Sequence, residues 1–221
     1  VGLPDFMGGG GDPSPVTAFG VYMGMKASQK ELSGSESLAG KRIVAQGVGH
    51  VGEYLVQYLV KEGAEVTICD IYEDRVQDVV KKYGVKAVST DVVYDVPMDI
   101  YSPCALGATI NDETLSKLSC SIICGAANNQ LKDENIHGEA VRAKGILYAP
   151  DYLVNAGGII NCYWEIVGYN REAAMAQAEQ IYTTARNVFA MSKEQQIPTY
   201  LAANMLAEQR IAAIGRIKMK Q

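Results

Sequence analysis

Between Lys41 and Asp70 the chain follows an alternation that few folds accommodate. Lys41-Arg42-Ile43-Val44-Ala45-Gln46 is short and apolar, as a buried strand would be. Gly47-Val48-Gly49-His50-Val51-Gly52 follows. Val51, Tyr54, Leu55, Tyr58 and Leu59 then recur at helical spacing until Gly63, and Val66-Thr67-Ile68-Cys69 forms a second apolar run ending in Asp70. Two strands joined by a crossover helix lie parallel, with the helix packed on the sheet they share.

The same alternation continues. Val76, Val79, Val80 and Tyr83 predict a helix that stops at Gly84. Val85–Val88 and Met98–Tyr101 read as strands, with a short helix from Asn111 to Leu118. Ser121–Cys124 is a strand, Ile136–Lys144 a helix and Ile146–Ala149 a strand stopped by Pro150. Strands this continuously apolar are buried on both faces, which predicts an α/β fold: a doubly wound, mainly parallel, Rossmann-like sheet with flanking C-terminal helices. From Tyr152 the pattern is helical almost to the end, broken by Gly157-Gly158, Gly168 and Pro198. At the other end Ser14 reads as the cap of a helix with Pro15 in its first turn, and Gly8–Gly11 as a flexible loop. The expected organisation is an opening loop and helix over 1–35, a dinucleotide-binding domain over 36–150, and C-terminal helices over 151–221 that pack on it.

Each part of the 41–70 unit has a chemical use. The first glycine permits a tight turn, the second lets backbone approach a pyrophosphate, and the third brings the helix close to the strand. The helix N-terminus supplies unpaired N–H groups and a partial positive charge to phosphates. Asp70, roughly 20 residues beyond the glycines, suits the hydroxyls of an adenine ribose and repels a 2′-phosphate. Ile71-Tyr72-Glu73 offers no cation for such a phosphate. The expected coenzyme is NAD rather than NADP.

In an open parallel sheet, ligands lie beyond the carboxyl ends of the strands. Three of these ends carry small residues and amides: Pro103-Cys104-Ala105-Leu106-Gly107, Gly125-Ala126-Ala127-Asn128-Asn129, and Pro150 through Gly158. Small residues let backbone come close to a flat ring or a sugar. Asn128 and Asn155 both donate and accept. Asp151 reads as a loop cap.

The remaining composition serves to exclude. Twenty basic against 25 acidic residues leave a net charge of −5, which disfavours nucleic acid or an anionic membrane as partner. No apolar run approaches the ~20 residues of a membrane span. The five cysteines lie mostly within apolar runs and have no histidine at ligand spacing. They read as reduced core thiols of a cytoplasmic protein, with no metal site.

Taken together, Pro13–Val21, Gln46–Gly49, Pro103–Gly107, Ala149–Tyr152 and Asn155–Asn161 resemble the amino-acid dehydrogenases of the glutamate/leucine/phenylalanine/valine group. Tyr169–Glu172 and Ile197–Tyr200 are similar to its leucine-type members. The resemblance covers the cofactor-binding half of that family. It implies NAD-dependent oxidative deamination of a branched-chain L-amino acid, leucine first, to the 2-oxo acid and ammonia, in a homo-oligomer. It also implies roles. Thr17 would bond the nicotinamide carboxamide, Gly47, Val48, Gly49, His50, Val51 and Gly52 would hold the pyrophosphate, and Asp70 with Ile71 the adenine ribose. Cys104, Ala105, Ala126 and Asn128 would line the adenosine and nicotinamide ribose. Asn155 would stand between cofactor and substrate, and Leu201 would touch the substrate side chain.

Two departures stand out. His50 occupies a position where relatives usually carry asparagine, and it serves either as a phosphate donor or as a surface residue without a role. The family's catalytic lysine follows a triple glycine and, with a catalytic aspartate, belongs to its N-terminal domain. The glycine run here is followed by Asp12, and the chain opens on Val1 rather than methionine. The acid–base residues are therefore expected outside this chain, which by itself is expected to bind NAD without turnover. The competing classes are the same chemistry on valine, phenylalanine or glutamate, a stand-alone NAD-binding module, and an intact oxidoreductase of another type.

Overall fold

The computed structural model describes residues 2–218; of Asp5, Arg216, Ile217 and Lys218 only the backbone is described. The strands are β1 Arg42–Gln46, β2 Glu65–Cys69, β3 Lys86–Ala87, β4 Ile100–Pro103, β5 Ile122–Ile123 and β6 Leu147–Tyr148. They form one sheet in the order β3-β2-β1-β4-β5-β6. Every neighbouring pair is parallel, with Ile43 opposite Val66 on one side and Ile100 on the other. The helices are α1 Ser14–Ser33, α2 His50–Glu62, α3 Glu73–Tyr83, α4 Asp112–Lys117, α5 Glu134–Ala143, α6 Asp151–Val154, α7 Gly157–Val167, α8 Arg171–Glu179, α9 Ile181–Gln195 and α10 Thr199–Lys218.

The doubly wound architecture follows from the two-residue period of the strands. Ile43, Ala45, Ile68, Ile100 and Ile122 join one hydrophobic core with Val21 and Met25 of α1, Leu55 and Leu59 of α2, Val76 of α3 and Phe189 of α9. Their neighbours Val44, Cys69, Tyr101 and Ile123 face the opposite core, with Leu115 of α4 and Val141 of α5. The central strands β1, β4 and β5 thus have two buried faces, while the edge strand β3 is exposed at both of its residues. Fully burying a side chain such as Leu55 or Leu59 contributes roughly 1.5–3 kcal/mol.

Two features near the N-terminus depart from the sequence reading. The cap of α1 is Pro13, and the hydrogen bond expected of Ser14 comes from Asp12, whose Oδ1 accepts the Ser14 N–H at 2.9 Å. The glycine run is tied down: Gly9 and Gly10 are buried, and the Gly10 N–H donates to Glu165 Oε1 at 2.8 Å. Likewise Gly157 and Gly158 open α7, and the helix break lies at Asn155-Ala156.

Candidate functional site

Because all strands run one way, their carboxyl ends meet at one edge of the sheet, and the order places the topological switch between β1 and β4. The backbone continues the ladder there: Gly47 N–H donates to Cys69 O at 2.8 Å and Cys104 N–H to Gln46 O at 2.7 Å.

The three glycines of the turn are required for three different reasons. Gly47 has φ +104°, and a Cβ there would lie 2.7 Å from the Ala105 nitrogen. A Cβ on Gly52 would lie 2.1 Å from Gly47 O, so the helix sits on the turn with no room for a methyl group. Gly49 is unlike both. Its φ of −66° suits any residue, and a Cβ would meet only the Arg75 Nη1 at 4.0 Å. The space in front of Gly49 is an open cradle, lined by the unpaired N–H groups that begin α2.

That cradle forms part of a cavity of about 450 Å³ lined by Gln46, Gly47, Gly49, Asp70, Ile71, Tyr72, Arg75, Thr90, Cys104, Ala105, Leu106 and Thr109. Asp70 has a second duty that the sequence did not reveal. Its Oδ2 accepts the Val48 N–H at 2.8 Å and its Oδ1 the Tyr72 N–H at 3.1 Å, so one carboxylate ties the glycine turn to the end of β2. Each oxygen keeps a lone pair for a further donor. Val48 itself is buried, Val51 half-buried against the α2-side core, and His50 exposed with its Nδ1 3.7 Å from Asp12 Oδ2.

The floor is polar and rigid. Gln46 accepts a hydrogen bond from the buried Tyr101 hydroxyl and donates to Tyr94 at 3.3 Å. Burial holds the Tyr101 hydroxyl well above the usual tyrosine range. The Cys104 thiol is raised by desolvation, against hydrogen bonding from Ser102 and Ala126. Cys69, behind Asp70, is pushed up to about 12, first by burial and then by the Asp70 charge.

A second group lies along the same edge. Asn155 Nδ2 donates to Asn128 Oδ1 at 2.7 Å and to Ala126 O at 3.2 Å, so the two asparagines singled out separately in the sequence are one hydrogen-bonded pair. Thr17, whose hydroxyl donates to Pro13 O at 2.9 Å, borders the same turn; a Cβ on Gly158 would lie 3.0 Å from its Oγ1. Gly107 joins the two groups, since a Cβ there would lie 2.5 Å from Asn128 O. Asp151 is structural, as read from sequence: it is buried and accepts the Gln130 N–H at 2.9 Å. Leu201 stands on the first turn of α10, 37% exposed.

One sequence inference is corrected. Three residues after Asp70 without a cation do not leave the cavity without one, because the first turn of α3 brings Arg75 back over the glycine turn. Side chains on a helix point toward its N-terminus, and that rule was the available signal. Gln46, Tyr72, Thr90, Leu106 and Thr109 also line the cavity without having been singled out as ligand residues. All five cysteines are free thiols, and among the described residues no cluster of metal-ligating side chains occurs. Among the described residues no helix is long and apolar enough to cross a membrane.

Comparison with known proteins agrees with this geometry. Residues 67–217 match the family model described as Glutamate/Leucine/Phenylalanine/Valine dehydrogenase. The chain is 50% identical over 217 residues to leucine dehydrogenase of Thermoactinomyces intermedius, covering 98% of this chain and 59% of that protein. The chain thus spans about three fifths of the length of that relative. A crystal structure of L-tryptophan dehydrogenase from Nostoc punctiforme superposes with a TM-score of 0.90 at 40% identity, over 93% of this chain and 63% of that one. Hetero-hexameric glutamate dehydrogenase from Thermus thermophilus shares the fold, with a TM-score of 0.79 at 19% identity, over 99% of this chain and 56% of that one.

Proposed function

This chain belongs to the glutamate/leucine/phenylalanine/valine dehydrogenase family, and from that premise we propose that it is the coenzyme-binding part of an NAD-dependent L-amino-acid dehydrogenase acting on leucine. The observation that carries the reading is the open cradle at Gly49, set between two glycines that have no room for a side chain and beside a carboxylate at the end of β2. The donor set fits a dinucleotide: free backbone N–H groups for a diphosphate, a carboxylate for ribose hydroxyls, and the apolar, exposed Ile71 and Leu106 for a base.

On this reading Gly47 to Gly52 seat the diphosphate, with His50 at the helix start. Asp70 and Ile71 hold the adenine ribose, and Cys104 and Ala105 border the adenosine. Ala126 and Asn128 border the nicotinamide ribose, and the Thr17 hydroxyl reaches the carboxamide. When bound, NAD would supply a hydride acceptor for the substrate Cα–H. Asn155, oriented by Asn128, stands between coenzyme and substrate, and Leu201 borders the substrate side chain. Leucine is favoured over tryptophan because identity to the leucine dehydrogenase is 50% against 40% for the tryptophan enzyme. The opening segment 1–35, the dinucleotide-binding domain 36–150 and the helices 151–221 act as one coenzyme platform. The lysine and aspartate that move protons in this family lie on a further domain of the whole protein, which works as a homo-oligomer. The free thiols fit the reducing cytoplasm.

Calorimetric titration of this chain with NAD and NADP, beside an assay of the complete gene product on a panel of L-amino acids, tests the proposal. The expected results are NAD binding, no leucine-dependent NADH formation by these 221 residues alone, and leucine as the preferred substrate of the whole protein. Absence of NAD binding, or inactivity of the whole protein on every aliphatic amino acid, would contradict it.

A further inference from the structure

We infer that Arg75 is a coenzyme-binding residue that clamps the diphosphate from the side opposite the α2 N-terminus; this rests on the coenzyme reading above. Three observations lead there. First, Arg75 Nη1 is the atom nearest the open space in front of Gly49, 4.0 Å from where a Cβ would lie, and that space is the cradle for the diphosphate. Second, the guanidinium lies over the Tyr72 ring, with its Cζ 4.4 Å from the ring centroid, a contact that favours the placement facing Gly49. Third, among the described residues no carboxylate forms an ion pair with Arg75, and Asp70, the acid of the same cavity, is turned to the Val48 and Tyr72 N–H groups. A guanidinium with no acidic partner, facing an anion cradle, matches the planar double-donor geometry of phosphate recognition.

The consequence concerns selectivity. A clamp on the diphosphate strengthens NAD, NADH and ADP-ribose alike, because all three carry it. A clamp on a 2′-phosphate would strengthen only NADP. The direction of the side chain toward Gly49 assigns Arg75 to the first role and leaves Asp70 to exclude the 2′-phosphate.

The test measures dissociation constants of the wild-type chain, R75Q and R75K for NAD and ADP-ribose by calorimetry. Adenosine and 2′,5′-ADP are measured by saturation-transfer NMR. R75Q is expected to weaken NAD and ADP-ribose about tenfold, which is about 1.4 kcal/mol, to leave adenosine within about twofold, and to flatten the salt dependence of NAD affinity. R75K, which keeps the charge without the fork, is expected to fall between. Unchanged NAD affinity in R75Q, an equal loss for adenosine, or a loss confined to 2′,5′-ADP would each overturn the diphosphate role while the coenzyme reading stood. A wild-type chain that binds neither NAD nor ADP-ribose would overturn both.

Discussion

Substituting the second and third glycines of the turn by alanine separates folding from binding. In Gly52→Ala the new methyl carbon would lie 2.1 Å from Gly47 O, a backbone atom that cannot step aside. Overpacking of this kind costs roughly 1–3 kcal/mol, which lowers Tm by about 3–10 °C in a domain of this size. In Gly49→Ala the backbone, at φ −66° and ψ −167°, already suits alanine, and the methyl meets only an arginine nitrogen at 4.0 Å. The weaker helix cap is offset by roughly 0.4–1 kcal/mol from the stiffer unfolded chain. The net change in stability is then within about 0.5 kcal/mol, or about 2 °C. The same methyl stands where a diphosphate must approach the first N–H groups of α2. Losing even one hydrogen bond to a charged group, about 1.5–3 kcal/mol, weakens NAD roughly tenfold to a hundredfold. Differential scanning calorimetry and NAD titration of both variants read the two effects separately. A Gly49→Ala chain that binds NAD as tightly as wild type would refute the reasoning, and so would a Gly52→Ala chain that melts with it.

Three further outcomes are expected. At pH 7–8 a thiol reagent should leave the buried Cys69, Cys120 and Cys124 unlabelled, with Cys69 and Cys120 held up to about 12 and about 11 by burial; Cys104 should react slowly, faster as pH rises, and be protected by NAD, as followed by mass spectrometry. Asp99 is held below the usual carboxylate range first by the Arg42 side-chain hydrogen bond, within a 2.8 Å ion pair. A depressed carboxyl stabilises the fold above its unfolded value near 3.9, and that contribution disappears as pH falls through the folded value. In Asp99→Asn, urea unfolding should therefore show a loss of about 0.5 kcal/mol at pH 7 that shrinks below pH 4, discounted for this half-exposed pair. A double-mutant cycle on Asn128→Ala and Asn155→Ala should give a coupling of about 0.5–1.5 kcal/mol in unfolding free energy, from the 2.7 Å bond between them; additive effects would show that the pair acts as two separate residues.

Much of this architecture was legible because it depends on local pattern. Six runs became the six strands of the described residues. For the central strands this is because burial on both faces leaves a continuous apolar signature whatever surrounds it. The exposed edge strand β3 keeps only the two residues Lys86–Ala87 of its run. The glycine turn was legible because its spacing encodes steric needs that the positions of Gly47 and Gly52 reproduce. What escaped was whatever depends on direction in space. Arg75 is five positions beyond Asp70 along the chain, yet one helical turn aims it at Gly49. The sequence marks Asp70 as a ligand for sugar alone, because nothing in it says that the Oδ2 reaches the Val48 N–H across the β1–β2 pair. The glycine run at Gly8–Gly11 read as flexible because its anchor, Glu165, is some 150 residues away in sequence. Long-range hydrogen bonds to backbone carry no local pattern.

Hydrogen-exchange mass spectrometry with and without NAD tests the central claim most directly, because it reports on the amide hydrogens assigned to the diphosphate. The account predicts slower exchange in peptides spanning 47–53, with smaller protection over 70–75 and 104–107 and none over α5. Protection that skips 47–53, or exchange unchanged by saturating NAD throughout the chain, would contradict it.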